Sequence, residues 1–122
     1  MKIHQKLLRK LDRECDVVSG RHLAIARRGS GEAIAVTTNR RGGDGVGRWT
    51  THAEAHLLHK LRKMKIDARG LGDDITIEVY RVRKNGDVAY SHPCEDCTAL
   101  LRDSGYLVKY TNPHEAHGWS YL

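Results

Sequence analysis

Thr51-His52-Ala53-Glu54 and Pro93-Cys94-Glu95-Asp96-Cys97 carry the densest chemistry in the chain, and the segments around them decide the fold. Each sits where a helix should begin. After the first, Leu57, Leu58, Leu61 and Met64 recur at helical spacing and give one apolar face. His56, His59, Lys60, Arg62 and Lys63 fill the other faces as solvated residues. Thr50 or Thr51 is expected as the N-cap, with Glu54 completing a capping box. After the second, the pattern predicts a short helix over Cys94–Asp103, stopped by Gly105. Cys94 and Cys97, three apart, share a helix face and can grip one ion. A helix N-terminus also favours thiolate over thiol. His52 adds an imidazole nitrogen, which makes three ligands for a tetrahedral Zn²⁺. Three ligands leave the fourth position for water, as catalytic zinc requires, whereas structural zinc closes its shell. Glu54, two residues from a ligand, is placed to move protons.

Outward from these motifs, Leu7, Leu8 and Leu11 predict an amphipathic first helix over roughly residues 3–17. Two β-prone runs, His22–Ala26 and Ala33–Thr38, flank a Gly-Ser-Gly connection and read as a hairpin. Arg40-Arg41-Gly42-Gly43-Asp44-Gly45-Val46-Gly47-Arg48-Trp49 follows as a loop. Its glycine spacing is not that of a dinucleotide fingerprint, and no phosphate-loop Lys-Ser/Thr comes after it. Beyond the second helix, Asp67–Asp74 is a connection and Ile75–Arg83 a strand. Asn85-Gly86 marks a tight turn into Val88–Ser91. Tyr106–Thr111 is a further strand, and Trp119–Leu122 has room to turn back antiparallel to it. The order α-β-β-α-β-α-β describes a mixed three-layer α/β domain with helices packed on a sheet of four to five strands.

The chain has 122 residues, the size of one domain, and residues 1–122 are expected to form a single one. No apolar run approaches the roughly 18–20 residues of a membrane helix, and the N-terminus lacks the apolar stretch of a signal peptide. A cytoplasmic location is expected. Three cysteines, an odd number, argue against a disulfide framework. Cys15 reads as a small buried side chain. A formal charge of +6 and a pI near 9.4 favour an anionic partner as much as a solvated basic surface.

His-x-Glu followed by Pro-Cys-x-x-Cys is the signature of zinc nucleobase deaminases. With both motifs matched by His52-Ala53-Glu54 and Pro93-Cys94-Glu95-Asp96-Cys97, the chain resembles the cytidine deaminase-like superfamily over essentially its whole length. The resemblance implies that His52, Cys94 and Cys97 bind zinc and that Glu54 is the proton shuttle. It further implies that Asn39 contacts sugar or base and that the backbone carbonyl of Ser91 receives the exocyclic amine. The short tail resembles the compact branch with a hairpin end, whose edge strands and helix faces a homo-oligomer would cover. A redox pair is the poorer reading of the two thiols, because it needs no His-x-Glu. A structural zinc site needs a fourth ligand, which His92, His114 or His117 could supply.

Cytosine is the expected base. Free-cytidine deaminases resemble one another in following the second motif with Arg-Gln, and Thr98-Ala99-Leu100-Leu101 stands here instead. Cytosine in single-stranded DNA or RNA is therefore expected, with a pyrimidine nucleotide such as deoxycytidylate as the alternative. Arg40, Arg41, Arg48 and Trp49 suit a single strand, pairing phosphates and stacking on a base. The tail adds Trp119, with His114, His117 and Tyr121. A non-catalytic, zinc-stabilised nucleic-acid-binding module is the reading from another class.

Overall fold

Two turns of one construction shape the sheet. In each, a carbonyl accepts from the glycine three residues on, and the same residue's N–H donates one residue further. Arg28 bonds Gly31 and Glu32 at 2.8 and 2.9 Å; Arg83 bonds Gly86 and Asp87, both at 2.9 Å. The glycines sit at φ +92° and +89°, the left-handed conformation that a three-residue hairpin loop demands. The structure is a computed structural model, described over residues 2–15, 21–41, 50–66 and 75–122.

The first turn joins β1 (His22–Arg27) to β2 (Ala33–Thr38) as the expected antiparallel hairpin. Arg40–Arg41 and Thr50–Thr51, β3 and β4, pair as a small second sheet. Helix α1 (Gln5–Glu14) precedes β1, and α2 (Ala53–Lys63) follows β4. Next come β5 (Thr76–Val82), β6 (Val88–Ala89), α3 (Glu95–Ser104), β7 (Leu107–Thr111) and β8 (Trp119–Tyr121). The main sheet runs β2-β1-β5-β7-β8, with β6 paired to the far end of β5. It is mixed: β5 and β7 are parallel and the other pairs antiparallel. The tail does turn back, Thr111 facing Trp119 and Lys109 facing Tyr121. Six strands rather than four or five make this sheet, because the short β6 and β8 both pair.

Alternation along β5 assigns its two faces. Ile77 and Val79 join Ala53, Leu57, Leu61, Leu101 and Val108 in the core beneath α2 and α3. Tyr80 and Val82 join Leu11, Leu23 and Ile25 beneath α1. The result is the expected three layers. Leu11 and Leu57, each wholly buried, contribute about 1.5–3 kcal/mol apiece.

Helix α1 is shorter at its start than its apolar pattern suggested. Extended His4 caps it, its Nδ1 accepting the Lys6 N–H at 3.2 Å, and Ile3 instead donates to the Gly86 carbonyl. Cys15 ends it in an extended conformation; residues 16 and 17 of the expected helix lie outside the described ones. The 67–74 connection and residues 42–49, with Arg48 and Trp49, also lie outside them, as do the side chains of residues 40, 41, 50 and 51. Among the described residues no helix is long and apolar enough to cross a membrane.

Candidate active site

Threonine does not cap α2. Because Thr50 and Thr51 pair with Arg41 and Arg40, the chain stays extended up to His52, which takes the N-cap position with no side-chain cap bond. The first turn of α2 is tied to the end of β2: Thr37 Oγ1 donates to the Ala53 carbonyl at 2.7 Å, and His56 Nδ1 stands 3.5 Å from the Thr38 carbonyl. His56 is thus half-buried against the strand end rather than solvated, while His59 is exposed. At α3 the N-cap is Cys94, whose Sγ accepts the Cys97 N–H at 3.4 Å. Cys97 and Leu101, one turn apart, are fully buried and orient this helix.

The two helix starts meet. His52 Nδ1 lies 3.3 Å from Cys97 Sγ and 3.4 Å from Cys94 Sγ, and the three donor atoms all fall within 4.8 Å of one another. Zinc bond lengths at the tetrahedral angle place a nitrogen and a sulfur about 3.6 Å apart. The donor set and its spacing therefore fit zinc with little movement. Among the described residues no fourth His, Cys, Asp or Glu joins the group. His92 Nδ1 is 2.7 Å from the Pro93 carbonyl, and His117 Nδ1 accepts the Trp119 N–H.

Glu54 is 4% exposed, and its carboxylate lies within hydrogen-bonding reach of the Cys97 thiol. It turns toward that thiol instead of closing a capping box. Burial first, then the Glu54 charge and the neighbouring Cys94, push the Cys97 thiol far up. The helix start does not by itself make this sulfur a thiolate; a cation in the group would. Glu95 and Asp96, between the two cysteines, are exposed.

The other expected residues are placed unevenly. Asn39, 6% exposed at the end of β2, accepts the His22 N–H at 2.9 Å and the Cys15 thiol at 3.3 Å through Oδ1. Cys15 is thus half-buried and engaged. Ser91, 2% exposed, bonds Val79 of β5 and Thr111 of β7 through its hydroxyl; its carbonyl enters none of these bonds. Trp119 is not brought to the cluster. It packs edge-on against Tyr80 at 5.1 Å with Lys109 over its ring at 4.3 Å, on the α1 face of the sheet. The tryptophan-centred reading passed over Tyr90, four residues before Cys94, and Tyr110. With His92 they form one aromatic group. The signal was available: Tyr90 and His92 are two apart on an extended strap leading into Pro93, and so share a side.

No family model matches the chain, and no curated protein does. Solved structures do. A cytidine deaminase from Mycobacterium leprae superposes with a TM-score of 0.58, over 96% of this chain and 87% of that one, at 22% identity. A mutant cytidine deaminase from Mycobacterium tuberculosis gives 0.56 over 93% and 88%, at 18% identity. Another structure of the Mycobacterium tuberculosis enzyme gives 0.52 over 87% and 78%, also at 18%. At such identities the likeness is one of architecture, and that architecture, with its two helix starts converging on His52, Cys94 and Cys97, is the cytidine deaminase-like fold.

Proposed function

We propose that this chain is a zinc-dependent hydrolytic deaminase that converts cytosine to uracil and releases ammonia. One observation carries the reading: an imidazole nitrogen and two thiols converge from two helix starts, with the Glu54 carboxylate against Cys97. His52, Cys94 and Cys97 would hold the zinc. When bound, zinc supplies the Lewis acidity that makes water a nucleophile at C4 near neutral pH. Glu54 would take one proton from the attacking water and give it to the ring nitrogen, then carry the second proton from the hydroxyl added at C4 to the departing amine, which leaves as ammonia. Its burial keeps solvent from competing for the proton. Asn39 would bind the sugar or base and the Ser91 carbonyl the exocyclic amine. Arg40 and Arg41, on the strand paired to β4, would meet a phosphate, as would Arg48, with Trp49 stacking on a base; Arg48 and Trp49 lie outside the described residues. Trp119, on the far face of the sheet, drops out of this arrangement. Cytosine within single-stranded nucleic acid is our reading of the substrate; the alternative is a free deoxycytidylate-type nucleotide.

The test is Glu54→Gln in zinc-loaded protein, with metal content measured alongside ammonia release. Loss of about 10²–10⁴-fold in turnover at unchanged zinc stoichiometry is expected. A zinc-stabilised binding module without activity predicts no change except in stability. A Glu54→Gln protein as active as the parent would overturn the mechanism.

A further inference from the structure

The strap between β6 and α3 shows a feature that the zinc chemistry does not use. Tyr90 is 47% exposed although it is a large aromatic side chain. Its ring lies nearly parallel to that of His92, with centroids 6.3 Å apart and planes at 20°. Buried Tyr110 supports both edge-on, at 5.8 Å from Tyr90 and 4.9 Å from His92. A well-packed ring thus holds two exposed rings in one orientation.

The pair has a direction. Two residues beyond His92 is Cys94, and two extended residues span at most about 7 Å. Tyr90 also borders an open cleft of about 470 Å³, lined by Arg83, Asp87, Pro113 and His114 among others. Lys2 pairs with Asp87 at 3.1 Å and offsets the acid there, while Arg83 adds a cation. The cleft sits at the β5–β6 turn, and from it the chain runs back along β5 through Ala89 opposite Arg81 and Ser91 beside Val79 and Thr111, and on to Cys94. An aromatic shelf beside a cationic cleft, running up to a site that processes a base, matches what a second nucleotide needs: a stacking face and a phosphate contact.

We infer that Tyr90 and His92, with the Arg83 cleft, form a stacking subsite for the nucleotide next to the target base, so that the substrate is a single-stranded polynucleotide. This rests on the deaminase reading above. The shelf takes any base, since every base offers a π-face, and Arg83 takes its phosphate.

Zinc-loaded protein is assayed on deoxycytidine monophosphate and on a single-stranded DNA oligonucleotide of about 12 nucleotides carrying one cytosine. Tyr90→Ala is expected to raise KM for the oligonucleotide about 5- to 150-fold more than for the mononucleotide, and Tyr90→Phe to restore it. Arg83→Gln, at an exposed position, reduces the slope of log affinity against log salt by about 0.7. Equal effects of Tyr90→Ala on both substrates, or none on either, overturn the inference and leave the deaminase standing. So does turnover of the mononucleotide alone. If the parent deaminates neither substrate, the deaminase reading falls. Fluorescence anisotropy with the labelled oligonucleotide then decides the subsite: binding weakened by Tyr90→Ala supports it, and unchanged or absent binding refutes it.

Discussion

Replacing Ser91 with alanine removes one oxygen atom that three segments share. Its Oγ donates to the Val79 carbonyl at 2.9 Å and accepts the Thr111 N–H at 2.8 Å, and the Thr111 hydroxyl stands 2.7 Å away. The Thr111 hydroxyl has a second acceptor, the Ala89 carbonyl at 2.6 Å, and can turn to it. Its N–H cannot. Thr111 is wholly buried, so the amide loses its acceptor where water does not reach. An orphaned buried donor costs about 1–3 kcal/mol, and the lost bond to Val79 adds about 1 kcal/mol. Together these give about 3 kcal/mol. For 122 residues the unfolding entropy near the melting temperature is about 0.26 kcal/mol/K, so Ser91→Ala should lower Tm by about 12 °C. The backbone carbonyl survives the change, and zinc content and turnover, measured well below Tm, should stay close to the parent's. Calorimetric melts of both zinc-loaded proteins read the shift. A drop under about 3 °C, or loss of zinc without loss of stability, would refute the reasoning, because either would put the serine hydroxyl to work in the site and not in joining the strands.

Glu78 supplies a pH signature. Burial raises its carboxyl, but hydrogen bonds from Arg27 and Tyr80 and the charges of Arg27 and Lys109 outweigh that, so it ends below its ordinary value of 4.5. The stability it contributes is complete above that value and drains as pH falls through it. Denaturant melts should therefore show the parent losing stability more steeply than Glu78→Gln below about pH 4.5; parallel curves there would count against the ion cluster. The two turn glycines form a matched pair. Alanine at either must adopt positive φ, costing about 1–2 kcal/mol, but at Gly86 its Cβ also meets Leu8 Cδ2 at 3.3 Å while at Gly31 it meets nothing. Urea unfolding should show Gly86→Ala as the costlier, and equal losses would mean α1 does not pack tightly on that turn.

The metal group was legible because its chemistry is local. Cys94 and Cys97 need only a helix to share a face, and His52 needs only to sit at the start of another. Both hairpins announced themselves through glycines at positions where positive φ is required. The face taken by Trp119 could not be read this way. A slip of one residue in the pairing of β7 with β8 sends every side chain of the strand to the other side. The observed register, Thr111 opposite Trp119, puts the tryptophan over Tyr80, on the face of the sheet opposite α2 and α3. The N-cap of α2 was misplaced for a related reason. Propensity favours threonine, but pairing with Arg40 and Arg41 holds Thr50 and Thr51 in strand, and the helix starts one residue later on a histidine.

The charge surplus needs the same treatment. Several cations that make up the formal +6 are already matched, Lys2 with Asp87, Lys10 with Glu14, Arg21 with Asp12, Arg27 and Lys109 with Glu78. Others, such as Lys6, Arg9, Lys60, Arg62 and Lys63, ride the outer surfaces of α1 and α2. Next to the metal group stand three acids: Glu54 against Cys97, with Glu95 and Asp96 on the first turn of α3. A net positive charge therefore says little about what enters this site. An anionic substrate has to be argued from cations that stand beside an approach to it, and among the described residues Arg83 is one of these because it shares a cleft with Tyr90. On the proposed reading that cleft would tell the candidate substrates apart: a lone nucleotide would leave Tyr90 uncovered, whereas a strand would lay its next base there.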